Sequence, residues 1–335
     1  MNHHLITVIA TVLNEGENIR RLMDSLAAQT LAPDEVVIVD GGSSDNTVAV
    51  LRDYADRLPL RVLVEPGCGI SSGRNRAIAA ATHDIIAVTD AGVILDPDWL
   101  DRITRPLRDD PSLEVVAGFF RVDPRSVFEA AMGATSFPLV DEVDGQTFLP
   151  SSRSIAFRKA AWQTVGGYPE WLDYCEDLVF DLRLKATSAP QAFAPDALVY
   201  YRPHGSLKSF FKTYRRYARG DGKADLWRKR HAARYATYGL AVPLIFALGW
   251  KVHKSLWSLY ALGAAVYLRA PYKRLRSVLA ETARVNAARV TLLSNLYAVA
   301  LVPVIRVTGD VAKMIGYPAG VLWRLRNRPP NWRDV

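Results

Sequence analysis

Cysteine is almost missing from this chain: Cys68 and Cys175 are the only two in 335 residues. Neither has metal-ligand spacing, so a cysteine-based metal centre is not expected, and the chain reads as one kept in a reducing compartment. The signals of nucleic-acid binding are absent too. There is no basic arm, no zinc-finger spacing and no aromatic RNA-binding motif. No secretory leader is legible: Leu5 to Leu13 is apolar but lacks a basic flank and runs into Asn14-Glu15-Gly16-Glu17, so it reads as a first strand, with His3 and His4 as solvated tail residues. Long apolar runs are also lacking. Residues 235–250, 255–268 and 290–305 carry no charge, yet each falls short of the about 20 residues of a spanning helix. Pro243 and Pro303 interrupt the first and third. No internal repeat or low-complexity linker separates parts of the chain.

What is present is a half-hydrophobic sequence with a net charge of +8, enough for one large domain or two smaller ones. The positive excess is concentrated in the last third, where Lys208, Lys212, Arg215, Arg216, Arg219, Lys223 and Arg228–Arg230 crowd together before the apolar runs. That alternation of basic clusters and apolar runs points to a membrane face, through kinked or re-entrant helices or helices lying on the headgroups. A soluble helical subdomain is the alternative.

The first hundred residues alternate strand and helix. Ile6–Val12, Val36–Val39, Leu60–Val64 and Ile85–Val88 are short β-branched runs expected to be buried strands. Helical spacing is expected over 17–29 and 46–57, and again in a helix capped by Ser71 or Ser72 that ends near Thr82. This alternation predicts an α/β fold with a mostly parallel, doubly wound sheet. Pro97 is expected in the first turn of a further helix. Val115–Val122 and Ser154–Phe157 are strand candidates, with a short helix over 126–132 between them. Trp171–Leu184 has a helical pattern, and Val199–Pro203 closes the sheet region. In an open sheet, ligands sit beyond the carboxyl ends of the strands. Asp90 follows such a strand, so it is a candidate ligand-facing carboxylate, while Asp40 ends another buried strand.

Five segments together resemble the inverting nucleotide-sugar glycosyltransferases of family 2, with the GT-A fold, in their membrane-associated form. They are Ala10–Glu15, Val39–Thr47, Gly69–Asn75, Thr89–Pro97 and Cys175-Glu176-Asp177. The resemblance covers about the first two-thirds of the chain. It implies a catalytic domain over 1–205 and a basic, apolar helical region over 206–335 associated with the membrane. It places Thr11, Asn14, Glu15, Asp40, Arg74 and Asp90 at the nucleotide sugar, with Asn14 also a helix-cap candidate. Arg216, in a weaker form of the Gln-x-x-Arg-Trp segment, would join them at the diphosphate. Asp177 would be the general base, with Glu176 orienting it or holding the acceptor. Asp90 matches the first position of the Asp-x-Asp motif, which implies a divalent cation, Mg or Mn. The third position here is Gly92, which removes one expected ligand, and His204 is the candidate replacement.

The implied activity is sugar transfer from a nucleoside-diphosphate sugar to a hydroxyl on a lipid-linked or cell-envelope glycan acceptor, at the cytoplasmic side of the cell membrane. Nucleic acid is not an expected partner. A catalytically impaired nucleotide-sugar-binding scaffold is the alternative that Gly92 raises. A nucleotidyltransferase is disfavoured, because the loop after the first strand is acidic where a glycine-rich basic loop would be needed.

Overall fold

A computed structural model describes residues 5–285 and 291–334. His3, His4 and Val290 lie outside the described residues. The strands are β1 (Ile6–Val12), β2 (Glu35–Asp40), β3 (Leu60–Val64), β4 (Ile85–Val88), β5 (Val93–Leu95), β6 (Val115–Val122), β7 (Ile155–Arg158) and β8 (Gln191–Tyr201). The helices are α1 (Arg20–Ala27), α2 (Thr47–Arg52), α3 (Ile70–Ala80), α4 (Trp99–Asp109), α5 (Val127–Ser136), α6 (Lys159–Thr164), α7 (Glu176–Ala186), α8 (Leu207–Lys223), α9 (Arg228–Ala236), α10 (Val242–Lys251), α11 (Ser258–Val285) and α12 (Leu292–Asn327). The chain divides into two compact units. One comprises Met1–Arg121, Leu139–Tyr201 and Pro330–Val335, and the other Val122–Pro138 and Arg202–Pro329. The second unit thus takes an excursion around α5 as well as the C-terminal helices.

The first unit is built on one sheet in the order β3-β2-β1-β4-β7-β6-β8-β5. Strands alternate their side chains between two cores, as a period of two requires. Val8, Ala10, Val36 and Ile38 face Leu22, Leu51 and Trp99 of α1, α2 and α4. Ile9, Val37, Val39 and Ile86 face Ala77, Phe157 and Phe180 on the other side, with α3, α6 and α7. Burial on both faces is why these strands read as continuous apolar runs.

The sheet is mixed rather than mostly parallel. β1 pairs in parallel with β2 and β4, and β2 with β3, whereas β4–β7, β6–β7 and β5–β8 are antiparallel. The early strands are joined by helical crossovers, which enforce parallel pairing. β7 follows a long excursion and is free to insert antiparallel beside β4.

Three local expectations are corrected. Ser71 and Ser72 do not cap α3, whose N-cap is Gly69. Ser71 instead donates to Leu172 O and Ser72 to Gly69 O. Pro97 precedes the first turn of α4, whose N-cap is Asp98, because its carbonyl is held by Thr30 N at 2.9 Å. Asn14 caps no helix. It sits in left-handed backbone, φ 54°, which Asn tolerates better than most residues.

In the second unit, Phe210, Leu275, Ala298, Val302 and Ile305 pack with Ala130 and Ala131. α8 and α12 touch backbone to backbone. A Cβ placed on Gly316 or Gly320 would lie 2.1 and 2.0 Å from the carbonyl oxygens of Arg215 and Arg219, the close approach that small residues four apart permit. The apolar runs belong to longer helices than their lengths imply, because helical hydrogen bonding continues into the charged flanks. Arg228–Lys251 is one continuous helical stretch of 24 residues and α12 has 36, and both are long and apolar enough to cross a membrane. Pro243 is accommodated by a π-helical turn over Thr237–Ala241 just before it. Leu240, Phe246, Trp250, Val266, Leu292 and Leu293 are all exposed. An exposed apolar surface of this extent supports membrane association. The carboxylate of Asp310, on α12, is paired with Arg234 Nε at 2.7 Å and Tyr238 OH at 3.2 Å, as a charge on an apolar helix must be.

Candidate active site

β1, β2 and β4 end at the same edge of the sheet, since all three are parallel. The chain runs from β1 outward to β2 and β3, then crosses back to β4 on the other side of β1. The topological switch therefore lies between β1 and β4, where an open α/β sheet has its ligand crevice. Thr11 and Glu15 come from one side of it and Asp90 from the other.

The loops at this edge are tightly tied. Asp40 is fully buried and accepts from Gly42 N at 3.0 Å and Ser43 N at 2.9 Å. It therefore shapes the turn that follows it. Gly42 has φ +92° with Pro66 Cα 2.8 Å from where a Cβ would be, so no other residue fits there without strain. Asn14 clips the β1 loop to this turn: its N–H donates to Ser43 Oγ at 2.8 Å and its side chain accepts from Ser44 N at 2.9 Å. Thr47 Oγ1 accepts from Glu15 N and Gly16 N at 2.9 and 2.8 Å, while Asp45 accepts from Thr47 N at 3.0 Å. Gly73 lets α3 approach Thr11, whose Cγ2 would lie 2.8 Å from a Cβ there. Burial, then the nearby Asp45 and Asp90 charges, raise the Glu15 pKa.

Arg74 joins the two halves of the site. It is 2 % exposed and holds Glu176 Oε1 with Nη1 at 2.7 Å and Asp90 Oδ1 with Nη2 at 2.8 Å. Its guanidinium lies 5.3 Å from the Tyr168 ring centroid, and Tyr168 stacks on Phe180 at 4.1 Å. The carboxylate after β4 and Glu176, which opens α7 86 residues later in sequence, are thus bound to one cation. Cys175, immediately before the acidic pair Glu176-Asp177, has φ 66°. Such left-handed backbone at a non-glycine residue is a strain that tends to gather at functional sites. Glu176 is buried and Asp177 is partly exposed, so Asp177 is the member of the pair within reach of an acceptor.

Burial, then the adjacent Asp177 charge, push the Glu176 carboxyl up to about 7 against the opposing effect of Arg74. Burial and Asp177 also raise Asp181, one turn on. Both groups hold protons in the folded chain at a pH where the unfolded chain has released them. Stability from this pair is therefore greatest below the unfolded carboxylate range and falls as pH rises towards 7. For Glu176, raised from 4.5 to about 7, the loss is on the order of 3 kcal/mol. Unfolding midpoints from pH 5 to pH 8 should decline more steeply for the wild type than for Glu176→Gln. Parallel profiles would refute this.

Two residues at this edge carried no signal in the sequence. Arg153 precedes β7, and the β4–β7 register, Val88 opposite Ile155, brings it beside Asp90. Its Nε is 3.8 Å from Asp90 Oδ2. Its guanidinium lies 4.5 Å from the Tyr201 ring centroid and 5.4 Å from that of Phe120. Tyr168 could be found only from tertiary packing.

The donor set does not fit a cation cage. Among the described residues, no three His, Cys, Asp or Glu side chains come together as metal ligands. Asp90 is the only carboxylate of its motif, Gly92 faces open space, and two guanidinium groups already face the Asp90 oxygens. His204 belongs to the second unit, between β8 and α8. Arg216 lies on α8 in that same unit.

Residues 7–162 match the family described as glycosyl transferase family 2. An uncharacterized glycosyltransferase, YibD, of Escherichia coli K12 is 36% identical over 31% of this chain and 31% of its own length. The chain thus spans about a third of that relative. The O-antigen chain rhamnosyltransferase RfbN of Salmonella typhimurium is 22% identical over 62% of this chain and 71% of its own length. Among solved structures, the mannosyltransferase PcManGT from Pyrobaculum calidifontis, in complex with GDP-Man and Mn2+, shares the fold with a TM-score of 0.56. That likeness has 22% identity and covers 95% of this chain and 87% of that one. The strand order, the crevice at the β1–β4 switch and the family match agree: residues 7–162 match glycosyl transferase family 2, and the fold is GT-A-like.

Proposed function

We propose that this protein is an inverting glycosyltransferase that moves a sugar from a nucleoside-diphosphate sugar to a hydroxyl of a glycan or lipid-linked acceptor. The observation that carries the reading is Arg74, which binds both the nucleotide-side carboxylate Asp90 and Glu176, the residue next to Asp177. Thr11, Asn14, Glu15 and the turn anchored by Asp40 receive the nucleoside. Asp177 takes the proton of the acceptor hydroxyl as its oxygen attacks the anomeric carbon. The bond from that carbon to the diphosphate breaks on the opposite face, its electron pair leaves with the nucleoside diphosphate, and the configuration inverts. Glu176, held by Arg74, orients the α7 entrance. Arg216 is assigned to the diphosphate on its motif alone. A divalent cation bound here would have Asp90 as its carboxylate ligand in this group and would supply Lewis-acid stabilisation of the leaving diphosphate.

Residues 1–205 are assigned the catalysis and 206–335 the membrane contact. The basic residues Arg228, Lys229 and Arg230 opening the first apolar helix favour a cytoplasmic catalytic unit. Protease digestion of sealed, inside-out vesicles should then remove it, and its protection there would reverse the orientation.

The test is a screen of uridine and guanosine diphosphate sugars for nucleoside-diphosphate release on the membrane fraction, with and without Mg²⁺ or Mn²⁺. Release with one donor and acceptor supports the reading, and no release with any donor overturns it. Gly92 favours one rival, a nucleotide-sugar-binding scaffold, for which donor would bind without turnover.

A further inference from the structure

We propose that the polar cluster joining α9, α11 and α12, with Arg306 and Lys313 as its surplus cations, is a binding site for a phosphate group carried on a lipid. The proposal rests on the membrane association of the second unit and not on the transfer reaction, so its failure leaves the transfer reading as it stands.

The cluster lies where three uncharged runs end. Arg234 immediately precedes the run 235–250, Tyr267 is the next-to-last residue of 255–268, and Arg306 directly follows the run that ends at Ile305. These side chains meet in the fold. Arg234 Nε donates to Asp310 Oδ1 at 2.7 Å, Tyr238 and Tyr267 donate their hydroxyls to Asp310 Oδ2, and the Arg306 guanidinium lies 4.9 Å from the Tyr267 ring centroid. Asp310, the only carboxylate of α12, is thereby taken on both oxygens. Arg306 stands four residues before it and Lys313 three after, on the same face of the helix. Arg306 Nε is buried with no hydrogen-bond partner among the described residues. Lys313 Nζ rests over the Tyr214 ring, 5.1 Å from its centroid. A ring face attracts a cation without neutralising it. Asp221, the other carboxylate whose charge reaches Lys313, is bound to His231 Nε2 at 3.0 Å. Arg234, Arg306 and Lys313 thus outnumber Asp310 and Asp221.

Around the cluster, Val304, Val307, Val311 and Ile315 of α12 and Val266 of α11 are exposed. Surplus positive charge set among lipid-facing side chains is costly until an anion joins it. The phosphate of a lipid, at the depth where the apolar runs stop, supplies that anion, and basic pockets between membrane helices hold lipid headgroups in this way. Its oxygens can take the Arg306 fork and the Lys313 point charge together, while its hydrocarbon chain lies along the exposed valines.

The experiment titrates the full chain in dodecyl maltoside micelles with dodecyl phosphate, phosphatidylglycerol and inorganic phosphate, and reads bound molecules by native mass spectrometry. The wild type is expected to hold a single dodecyl phosphate or phosphatidylglycerol. The tighter of the two names the source: a phosphate borne directly on a hydrocarbon chain, the form open to a lipid-linked acceptor, or the headgroup of a membrane phospholipid. Arg306→Gln combined with Lys313→Gln should weaken that binding by at least about tenfold. Lys313→Arg, which keeps the charge, should stay within about threefold of the wild type. Lys229→Gln combined with Arg230→Gln, at two exposed cations of α9, should leave it unchanged. An equal loss in that control pair would mean diffuse attraction to a basic surface and would overturn the site. So would an Arg306→Gln, Lys313→Gln variant that binds like the wild type, or inorganic phosphate binding as tightly as either lipid. Failure of the wild type to hold either lipid overturns the proposal whether or not the variants fold.

Discussion

Replacing Asp177 by Asn is expected to lower the rate of sugar transfer by about 10²–10⁴-fold, the usual contribution of a positioned general base. Donor affinity should hardly change. The substitution keeps the shape and the contact from Leu178 N, which Asp177 Oδ1 accepts at 2.8 Å, so α7 should form as before. What is lost is the capacity to take the acceptor proton. The deficit should therefore appear in kcat and kcat/KM alike. Full activity in the variant would move the base elsewhere, and Glu176 would be the first candidate. Glu176 is the weaker choice because it is buried and bound to Arg74, with no open approach for an acceptor.

The second large effect concerns stability. Arg74→Met should leave the buried Glu176 and the part-buried Asp90 without their shared cation. Removing one partner of a buried ion pair costs about 3–5 kcal/mol, a large share of the about 5–15 kcal/mol that holds a typical domain together. The unfolding midpoint is expected to fall by on the order of 10 °C. Arg74→Lys should recover only part of this, since one ammonium cannot reproduce the fork that reaches both carboxylates. A midpoint unchanged in Arg74→Met would mean that the acidic pair is protonated or solvated enough to need no partner. The bridge would then have to be dropped as the link between the two halves of the site.

Much of the first unit was legible because its signals are local. Leu60–Val64 and Val115–Val122 coincide with β3 and β6, and the four early β-branched runs became the parallel part of the sheet. Helix ends were read less well, since Ser71, Pro97 and Asn14 have capping chemistry but spend it on partners elsewhere: Leu172, Thr30 and the Ser43–Ser44 turn. The second unit was read short. Charged flanks ended the apolar runs in the sequence, whereas the helices continue through them, and the glycines Gly316 and Gly320 gained meaning only against α8.

The sequence by itself determined the alternation of strand and helix and the placing of Asp40 and Asp90 after buried strands. It also put Glu176-Asp177 in a helical stretch, because these follow from periodicities of two and 3.6 residues. Only the tertiary structure decided what those carboxylates face. Arg74 meets Glu176 across 102 positions of chain, and Arg153 reaches Asp90 only because β7 runs antiparallel to β4. Neither contact is encoded in local spacing. Each depends on which strands pair and in which register, and that is settled by burying both faces of the sheet at once.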